Sequence, residues 1–246
     1  MKRGYTDFVF DVADVLVTWP KDLTCPIDRK ALRSCLVSRT WYQYESGRLS
    51  KTECFERLSS QFKLDASTID AAWAHVCAQL RPNADMVALV GELRSARPGV
   101  RVVGVLNASA PDDALFRAKA GVEWALFDAV YTSHELGIRL PNPGFFERML
   151  APDAGAAQFD PLEAVFVGHD ADDVVTARAY GMHGVLLSDF AAARRELRNL
   201  VGDPVKRGWE YLRANAGKLA CDADRPGVSI MENFGQLLIL EATGDR

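Results

Sequence analysis

Five aspartates stand where carboxylates could hold a divalent cation or attack an electrophile. Asp11 interrupts an apolar segment and Asp14 follows it, while Asp170, Asp172 and Asp173 cluster after a second apolar segment. Carboxylate oxygens are the ligands that Mg²⁺ prefers. A buried carboxylate is costly without a cation or hydrogen-bond donors, so Asp11 needs a partner. The alternative roles are turn capping for Asp11 and helix capping for Asp170 and Asp172.

These aspartates can act together only if the strands that precede them end at the same edge of a sheet. Short apolar segments predict buried strands at residues 8–12, 100–106, 129–132, 164–167 and 184–187. Segments with helical spacing lie between them, at residues 86–96, from about 111, at 145–150 and at 174–180. This alternation predicts an α/β fold, a doubly wound parallel sheet covered on both faces. Because ligands bind at the carboxyl ends of such strands, the stretches 11–14, 107–109, 133–143 and 168–173 are expected to meet.

Residues 20–82 carry no strong strand signal and predict an inserted helical cap of three or four helices. Ser50 with Glu53, and Ser67 with Asp70, have the spacing of capping boxes. The segment is rich in aromatic residues, which serve either as the core of a small bundle or as the lining of a ligand site. The expected organisation is an α/β core at 1–19 and 83–190, a cap at 20–82, and a C-terminal helical extension at 191–246 packing on the core.

Composition narrows the class of protein. With 48% hydrophobic and 25% charged residues, the chain is an ordinary globular protein, and its net charge of −4 argues against a nucleic-acid partner. No stretch approaches the roughly 20 apolar residues of a membrane span, and no cleavable leader is expected. The cysteines include no C-x-x-C pair, so they are expected to be reduced, as in a cytoplasmic protein. The sequence does not determine the oligomeric state, and a homodimer is one alternative.

Four segments resemble the motifs of the haloacid dehalogenase-like superfamily. They read FDVADVL at 10–16, LNA at 106–108, SHELGIRLPNP at 133–143 and FVGHDADDVVTARAYGM at 166–182. The Asp-tipped first strand and the G-x-x-x-x-D-x-x-x-A-x-x-x-G spacing of the last segment carry the resemblance, which covers about residues 6–187. It implies a Rossmann-like core with residues 20–82 as its cap.

The superfamily resemblance implies that Asp11 is the nucleophile and a Mg²⁺ ligand, and that Asp173 is a further metal ligand. Polar positions of the superfamily are replaced here by apolar residues, at Ala13 (usually an acid–base Asp), Leu106 (usually Ser or Thr) and Leu140 (usually Lys). Without that lysine, phosphoryl transfer onto Asp11 loses its main electrostatic stabilisation. Arg139 could replace it only if the backbone turned it inward. Ordinary phosphatase chemistry is therefore not expected.

Asp14 stands where the superfamily usually has glycine, and His169 where it usually has aspartate. The remaining carboxylates can hold a metal-bound diphosphate without acting as nucleophiles. We expect Asp11, Asp170 and Asp173 to bind Mg²⁺, and Asp11 and Asp14 to be the catalytic residues. The expected substrate contacts come from the strand ends and the aromatic cap, at Asn107, Ala108, His169, Trp19, Trp41 and Tyr44.

A narrower resemblance concerns fungal dehalogenase-like sesquiterpene synthases that form drimane skeletons. Their N-terminal domain is similar to RTWYQYESGRLSKTECF at 39–55, DVLVTW at 14–19, LRNLVGDPVKRG at 197–208 and ENFGQLLILE at 232–241. Those proteins continue into a second domain with an Asp-x-Asp-Thr-Thr acid motif, which does not occur in this sequence.

The narrower resemblance implies a Mg²⁺-dependent, terpene synthase-type lyase that ionises a prenyl diphosphate. Aromatic cap side chains would then face the carbocation, which aromatic faces stabilise. Two alternatives stay open. In one, the fold is an inactive binding or scaffold protein whose apolar crevice holds a hydrophobic ligand or a partner. In the other, it is a residual hydrolase, a phosphatase or dehalogenase, that uses Asp11.

Overall fold

The computed structural model describes residues 5–119, 121–151 and 160–202. Its strands are, in chain order, β1 (Asp7–Asp11), β2 (Val17–Thr18), β3 (Arg81–Pro82), β4 (Arg101–Leu106), β5 (Ala129–Thr132), β6 (Ala164–Gly168) and β7 (His183–Leu186). Five of them form one sheet in the order β5-β4-β1-β6-β7, and β2 pairs with β3. Every neighbouring pair in the larger sheet is parallel, so the predicted doubly wound α/β sheet is confirmed.

Helices cover both faces of this sheet. In chain order they are α1 (Arg29–Leu36), α2 (Arg39–Glu45), α3 (Lys51–Phe62), α4 (Ala66–Cys77), α5 (Ala84–Ala96), α6 (Ala110–Lys119), α7 (Ser133–Leu136), α8 (Gly144–Met149), α9 (Ala171–Ala179) and α10 (Phe190–Val201). Phe8 and Phe10 pack with residues of α5 and α10, whereas Val9 packs with residues of α8 and α9. The alternation follows from the period of two along a strand. It leaves β1 buried along its whole length.

The cap consists of α1–α4. Its core contains the bulky side chains of Trp41, Tyr44, Phe55 and Leu58, together with two cysteines. The capping box predicted for Ser50 and Glu53 is present at the start of α3. The predicted start of α4 is wrong, because that helix begins at Ala66 after Asp65 rather than behind a Ser67 cap.

The short antiparallel pair of β2 and β3 ties together the two chain segments that connect core and cap. Val17 is paired with Pro82, and Thr18 with Arg81. Strands this short carry no readable periodicity, so the sequence does not predict them. They fix where the cap leaves the core and where the chain returns.

The helix α10 begins the predicted C-terminal extension and packs on the core through Leu197 and Val201. The rest of that extension, residues 203–246, lies outside the described residues. None of the helices described is both long and apolar enough to cross a bilayer. The described cysteines, Cys25, Cys35, Cys54 and Cys77, carry free thiols.

Candidate active site

His169 lies between two of the aspartates that the sequence singles out. Its Nδ1 is 3.3 Å from Oδ2 of Asp11, and its Nε2 is 3.4 Å from Oδ2 of Asp14. Asp11 ends β1, and His169 directly follows β6, the neighbouring parallel strand. The carboxyl ends of the two strands therefore bring the imidazole and the Asp11 carboxylate together.

The two carboxylates keep this imidazole positively charged. Hydrogen bonding to Asp11, followed by the charge of Asp14, raises the pKa of His169 to about 9. Burial raises the pKa of the Asp11 carboxyl, and the contact with His169 offsets part of that increase. Burial also raises the pKa of Asp14, against the opposing charge of His169. The protein thus supplies a cation to its own carboxylate cluster.

Asp14 adopts a backbone conformation that favours glycine, with φ of 62°. This is the position where the superfamily usually has glycine. Aspartate is among the few other residues that tolerate the left-handed region, where a side chain costs on the order of 1 kcal/mol. The turn is closed by a hydrogen bond of 2.7 Å from the Asp14 N–H to the Val17 carbonyl. The strained backbone holds a carboxylate beside His169.

Asp173 is a buried carboxylate without a partner in the described part of the chain. Its residue is 5% exposed, and none of the described residues makes a hydrogen bond or ion pair to it. Burial, together with the charges of Asp11 and Asp170, raises the pKa of Asp173 to about 7. Asp170 instead caps α9, accepting a hydrogen bond of 2.8 Å from the Asp172 N–H. The capping role considered for Asp170 is therefore observed, and its role as a metal ligand stays a prediction.

These groups line one wall of a cavity of about 480 Å³ between core and cap. Its polar lining includes Asp11, Asp14, Asn107, Asp112, Arg139, His169 and Asp173. Aromatic side chains also line the cavity. Trp19, Trp73 and Phe116 do so, and all three belong to one apolar cluster. The volume falls within the roughly 300–1,000 Å³ of small-molecule sites. The cavity is amphiphilic, because its lining combines charged side chains with aromatic rings.

Trp41 and Tyr44, expected at the substrate, do not line this cavity. They are 2% and 1% exposed and pack in the cap core, with ring centroids 5.3 Å apart. Tyr42 and Glu45 on the same helix line the cavity instead. Helical spacing separates the two pairs, since residues three apart share a face. That spacing was the available signal, although it does not say which face meets the core.

Asn107 and Ala108 line the cavity as expected, but the Asn107 amide is committed to the backbone. Its Nδ2 donates to the Leu140 carbonyl at 3.2 Å, and its Oδ1 accepts from the Leu140 N–H at 2.9 Å. Leu140 is 1% exposed and packs in the core cluster beside Phe145 and Phe146. Asn107 therefore positions the segment that carries Leu140 and Arg139.

Arg139 turns inward, as a replacement for the missing lysine requires. It lines the cavity, and its Nε donates to Oε2 of Glu45 at 2.7 Å. Its guanidinium carbon lies 4.1 Å from the centroid of the Tyr42 ring. The side chain is 22% exposed. Sequence reasoning could not decide this orientation, because it depends on cap residues far away along the chain.

Asp112 is a third buried carboxylate of the cavity, after Asp11 and Asp173, and the sequence did not single it out. Its Oδ1 accepts from Nε1 of Trp73 at 2.9 Å, and its Oδ2 accepts from Oγ of Ser109 at 2.8 Å. Burial raises its pKa, and these hydrogen bonds oppose the increase. Because Trp73 belongs to α4 of the cap, this carboxylate connects core and cap.

The chemistry of the donors fits Mg²⁺ shared with a ligand. Asp11 and Asp173 offer hard carboxylate oxygens, and Asp173 is buried without a partner. Within the described ranges, no three His, Cys, Asp or Glu side chains are arranged to hold a metal ion by themselves. Mg²⁺ is commonly bound by one or two carboxylates, with waters and substrate phosphates as the other ligands. Asp11 and Asp173 supply the two carboxylates of such a shared site. The described residues do not supply enough ligands to hold the ion by themselves.

The fold is similar to solved structures of the haloacid dehalogenase family. A family enzyme from Bacteroides thetaiotaomicron matches with a TM-score of 0.59 and 17% identity, over 75% of this chain and 94% of that one. The same enzyme in complex with magnesium and inorganic phosphate matches with a TM-score of 0.56. The L-2-haloacid dehalogenase of Xanthobacter autotrophicus matches with a TM-score of 0.53 and 20% identity, over 81% and 85% of the two chains. These similarities show the fold.

Two curated proteins share higher identity. The drimenol cyclase of Aspergillus calidoustus is 34% identical over 96% of this chain, which spans 44% of the cyclase. The sesquiterpene phosphatase of Aspergillus oryzae is 36% identical over 79% of this chain and 95% of its own length. A family model described as the sesquiterpene cyclase AstC-like C-terminal domain matches residues 205–246, outside the described residues. The chain belongs to the haloacid dehalogenase-like proteins, in the group that contains the drimenol cyclase and the sesquiterpene phosphatase of Aspergillus.

Proposed function

We propose that this chain is the dehalogenase-like unit of a terpene cyclase-type enzyme that acts on a prenyl diphosphate with Mg²⁺. The observation that carries the proposal is the amphiphilic lining of the cavity. It combines the charged side chains of Asp11, Asp173 and Arg139, called here the polar wall, with indole and phenyl rings, called here the aromatic wall. A prenyl diphosphate has the matching division, an anionic head and an apolar chain. The drimenol cyclase, of which this chain spans 44%, supports a terpenoid substrate.

At the polar wall, Asp11 and Asp173 would hold Mg²⁺, with Asp14 and Asp170 nearby. When bound, Mg²⁺ neutralises phosphate charge and makes diphosphate a better leaving group. His169 offers a positive charge next to Asp11 and limits the net negative charge that an incoming diphosphate meets. With Ala13 in place of the usual acid, the site offers no protonating carboxyl at that position, and diphosphate departure does not require one.

At the aromatic wall, Trp19, Trp73 and Phe116 would bind the prenyl chain and face positive charge that develops on it. Ring faces stabilise a desolvated cation by about 2 kcal/mol each. Trp19 and Phe116 meet edge to face, with centroids 6.3 Å apart, so the wall is packed. Its rings also exclude water, which would otherwise trap a carbocation.

Hydrolysis of a terpenoid phosphate by Asp11 is a second candidate. It is favoured by the position of the Asp11 carboxylate at the strand tip, and by the sesquiterpene phosphatase that this chain matches over 95% of that protein. In this reaction the Asp11 carboxylate would attack phosphorus and break its bond to the terpenoid oxygen. That oxygen would take its proton from water, because Ala13 replaces the usual acid, and a second water would cleave the acyl phosphate to orthophosphate and restore the Asp11 carboxylate. Arg139 would carry the charge role of the missing lysine.

The test incubates the full chain with Mg²⁺ and geranyl, farnesyl or geranylgeranyl diphosphate and identifies both the organic product and the inorganic one. Ionisation releases diphosphate, and we expect Asp11→Asn and Asp173→Asn each to reduce the rate at least about 100-fold. Asp85→Asn, an exposed aspartate on α5, is the matched control. Orthophosphate with the free alcohol would favour the hydrolase instead. No turnover of any substrate would leave the scaffold alternative and refute the proposal.

A further inference from the structure

A second cavity of about 430 Å³ adjoins the first and carries the opposite charge. Arg39, Arg48 and Arg139 line it, and no aspartate or glutamate does. The charged residues that line the first cavity, in contrast, are mainly carboxylates. The chain has a net charge of −4, so a cavity lined by three arginines and no acidic residue is a local reversal of sign. Glu45, which pairs with Arg139, does not line this cavity.

The two cavities share a wall formed by Tyr42, Arg139, Leu140 and Pro141. Arg139 therefore faces both. Its Nε is committed to Glu45, while no described residue accepts a hydrogen bond from its two Nη groups. The Tyr42 ring under the guanidinium holds it in place. A planar guanidinium held in this way presents its remaining N–H groups as a fixed anion-binding fork.

The other two arginines also have free hydrogen-bonding capacity. The side chain of Arg39, the first residue of α2, makes no hydrogen bond or ion pair to any described residue. The side chain of Arg48 makes one hydrogen bond to a described residue, from its Nη2 to the Gly137 carbonyl at 3.3 Å. Three guanidinium groups with unsatisfied donors around one concave surface are complementary to a multiply charged anion with several acceptor oxygens.

We propose that the cavity lined by Arg39, Arg48 and Arg139 binds the outer phosphate of a diphosphate group. The inner phosphate of the same group then lies at the polar wall of the first cavity, beside Asp11 and Asp173. This inference rests on the proposed function for the substrate, although the anion pocket itself is defined by the arginines. The pocket supplies the positive charge that the superfamily obtains from the lysine replaced by Leu140. It would also hold the diphosphate group as that group departs from the polar wall.

Isothermal titration of the full chain with inorganic diphosphate, in EDTA and at low salt, tests the pocket without metal and without turnover. We expect diphosphate to bind more tightly than orthophosphate, because it reaches more guanidinium groups. Arg39→Gln and Arg48→Gln should each weaken binding about tenfold, as the loss of one charged hydrogen bond does. Arg48→Lys should retain part of the affinity.

Arg57→Gln is the matched control, because Arg57 is an exposed cap arginine on α3 that lines neither cavity. It removes the same charge and should leave the dissociation constant unchanged. Equal binding by the parent, Arg39→Gln and Arg48→Gln would overturn the proposal. So would an equal loss in Arg57→Gln, which would show a general charge effect. Unfolding curves of each variant separate loss of the pocket from loss of the fold.

Turnover separates this inference from the proposed function. If prenyl diphosphates are not consumed but diphosphate binding is lost in Arg39→Gln and Arg48→Gln, the proposed function fails and the pocket stands. If they are consumed with an unchanged KM in both variants, the pocket is refuted and the function stands. Both proposals together predict a KM raised about tenfold in each variant.

Discussion

The Nε of Arg139 donates to Oε2 of Glu45 across 2.7 Å, and this ion pair joins the segment after α7 to the last residue of α2. The two side chains are 22% and 13% exposed. The pair therefore attaches the cap to the core at the wall shared by the two cavities. Changes at either residue test how that attachment depends on charge.

Burial outweighs the neighbouring guanidinium of Arg139 and raises the pKa of Glu45 to about 7 from 4.5. The folded state therefore binds this proton more tightly than the unfolded state, and the associated stability is present below pH 4.5 and lost as the pH rises to about 7. The maximum loss is on the order of 3 kcal/mol. Arg139 and the hydrogen bond with Trp41 lower the pKa of Glu45, and the charge of Asp112 raises it, but burial has the largest effect.

Glu45→Gln removes the titration but keeps a hydrogen-bonding side chain toward Arg139. Between pH 4.5 and 7, the free energy of unfolding of the parent should fall relative to that of the variant. Urea unfolding of both proteins across this range measures the difference. A parent that gains stability relative to the variant with rising pH would mean that the ion pair outweighs burial.

The left-handed backbone at Asp14, with φ of 62°, predicts different outcomes for two small substitutions. Asp14→Gly and Asp14→Ala both lose the contact with His169, but only glycine relieves the strained backbone. The glycine variant should exceed the alanine variant in free energy of unfolding by about 1 kcal/mol. Chemical denaturation compares them, and equal stabilities would contradict the left-handed turn.

The hydrogen bond from Trp73 to buried Asp112 predicts that Trp73→Phe destabilises the protein by about 1–3 kcal/mol, because it leaves a buried acceptor short of a donor. Trp19 is the matched control. It also lines the cavity, but its buried Nε1 has no hydrogen-bond partner among the described residues. Trp19→Phe should therefore cost less, as measured by thermal unfolding. The reverse order would show that ring size, and not the hydrogen bond, determines stability.

Leu140→Lys restores the residue type usual in the superfamily at a position that is 1% exposed. Because Leu140 packs beside Phe145 and Phe146, the variant should lose on the order of 3 kcal/mol of stability without gaining aryl phosphatase activity. Leu140→Met, which conserves volume, should lose less than about 1.5 kcal/mol. A stable Leu140→Lys protein that releases orthophosphate would show that the cavity accepts the lysine.

The positions of the core strands along the chain, and the place of Asp11 at the end of the first strand, follow from the sequence alone. Local patterns carry this information: the apolar segment ending at Asp11, the glycine and aspartate spacing around Asp173, and the capping box at Ser50 each depend on residues close together along the chain. The same patterns identify the superfamily. The missing lysine at Leu140 is also plain from the spacing.

Only the tertiary structure decides which side chains share the cavity. Tyr42 faces it and Tyr44 does not, because α2 buries the face that carries Tyr44 inside the cap, and helical period alone does not choose that face. His169 reaches both Asp11 and Asp14 because parallel strands end together and a left-handed turn brings Asp14 back. Arg139 turns inward because Glu45, far away in sequence, accepts its hydrogen bond. These are contacts between distant segments, and local sequence patterns do not encode them.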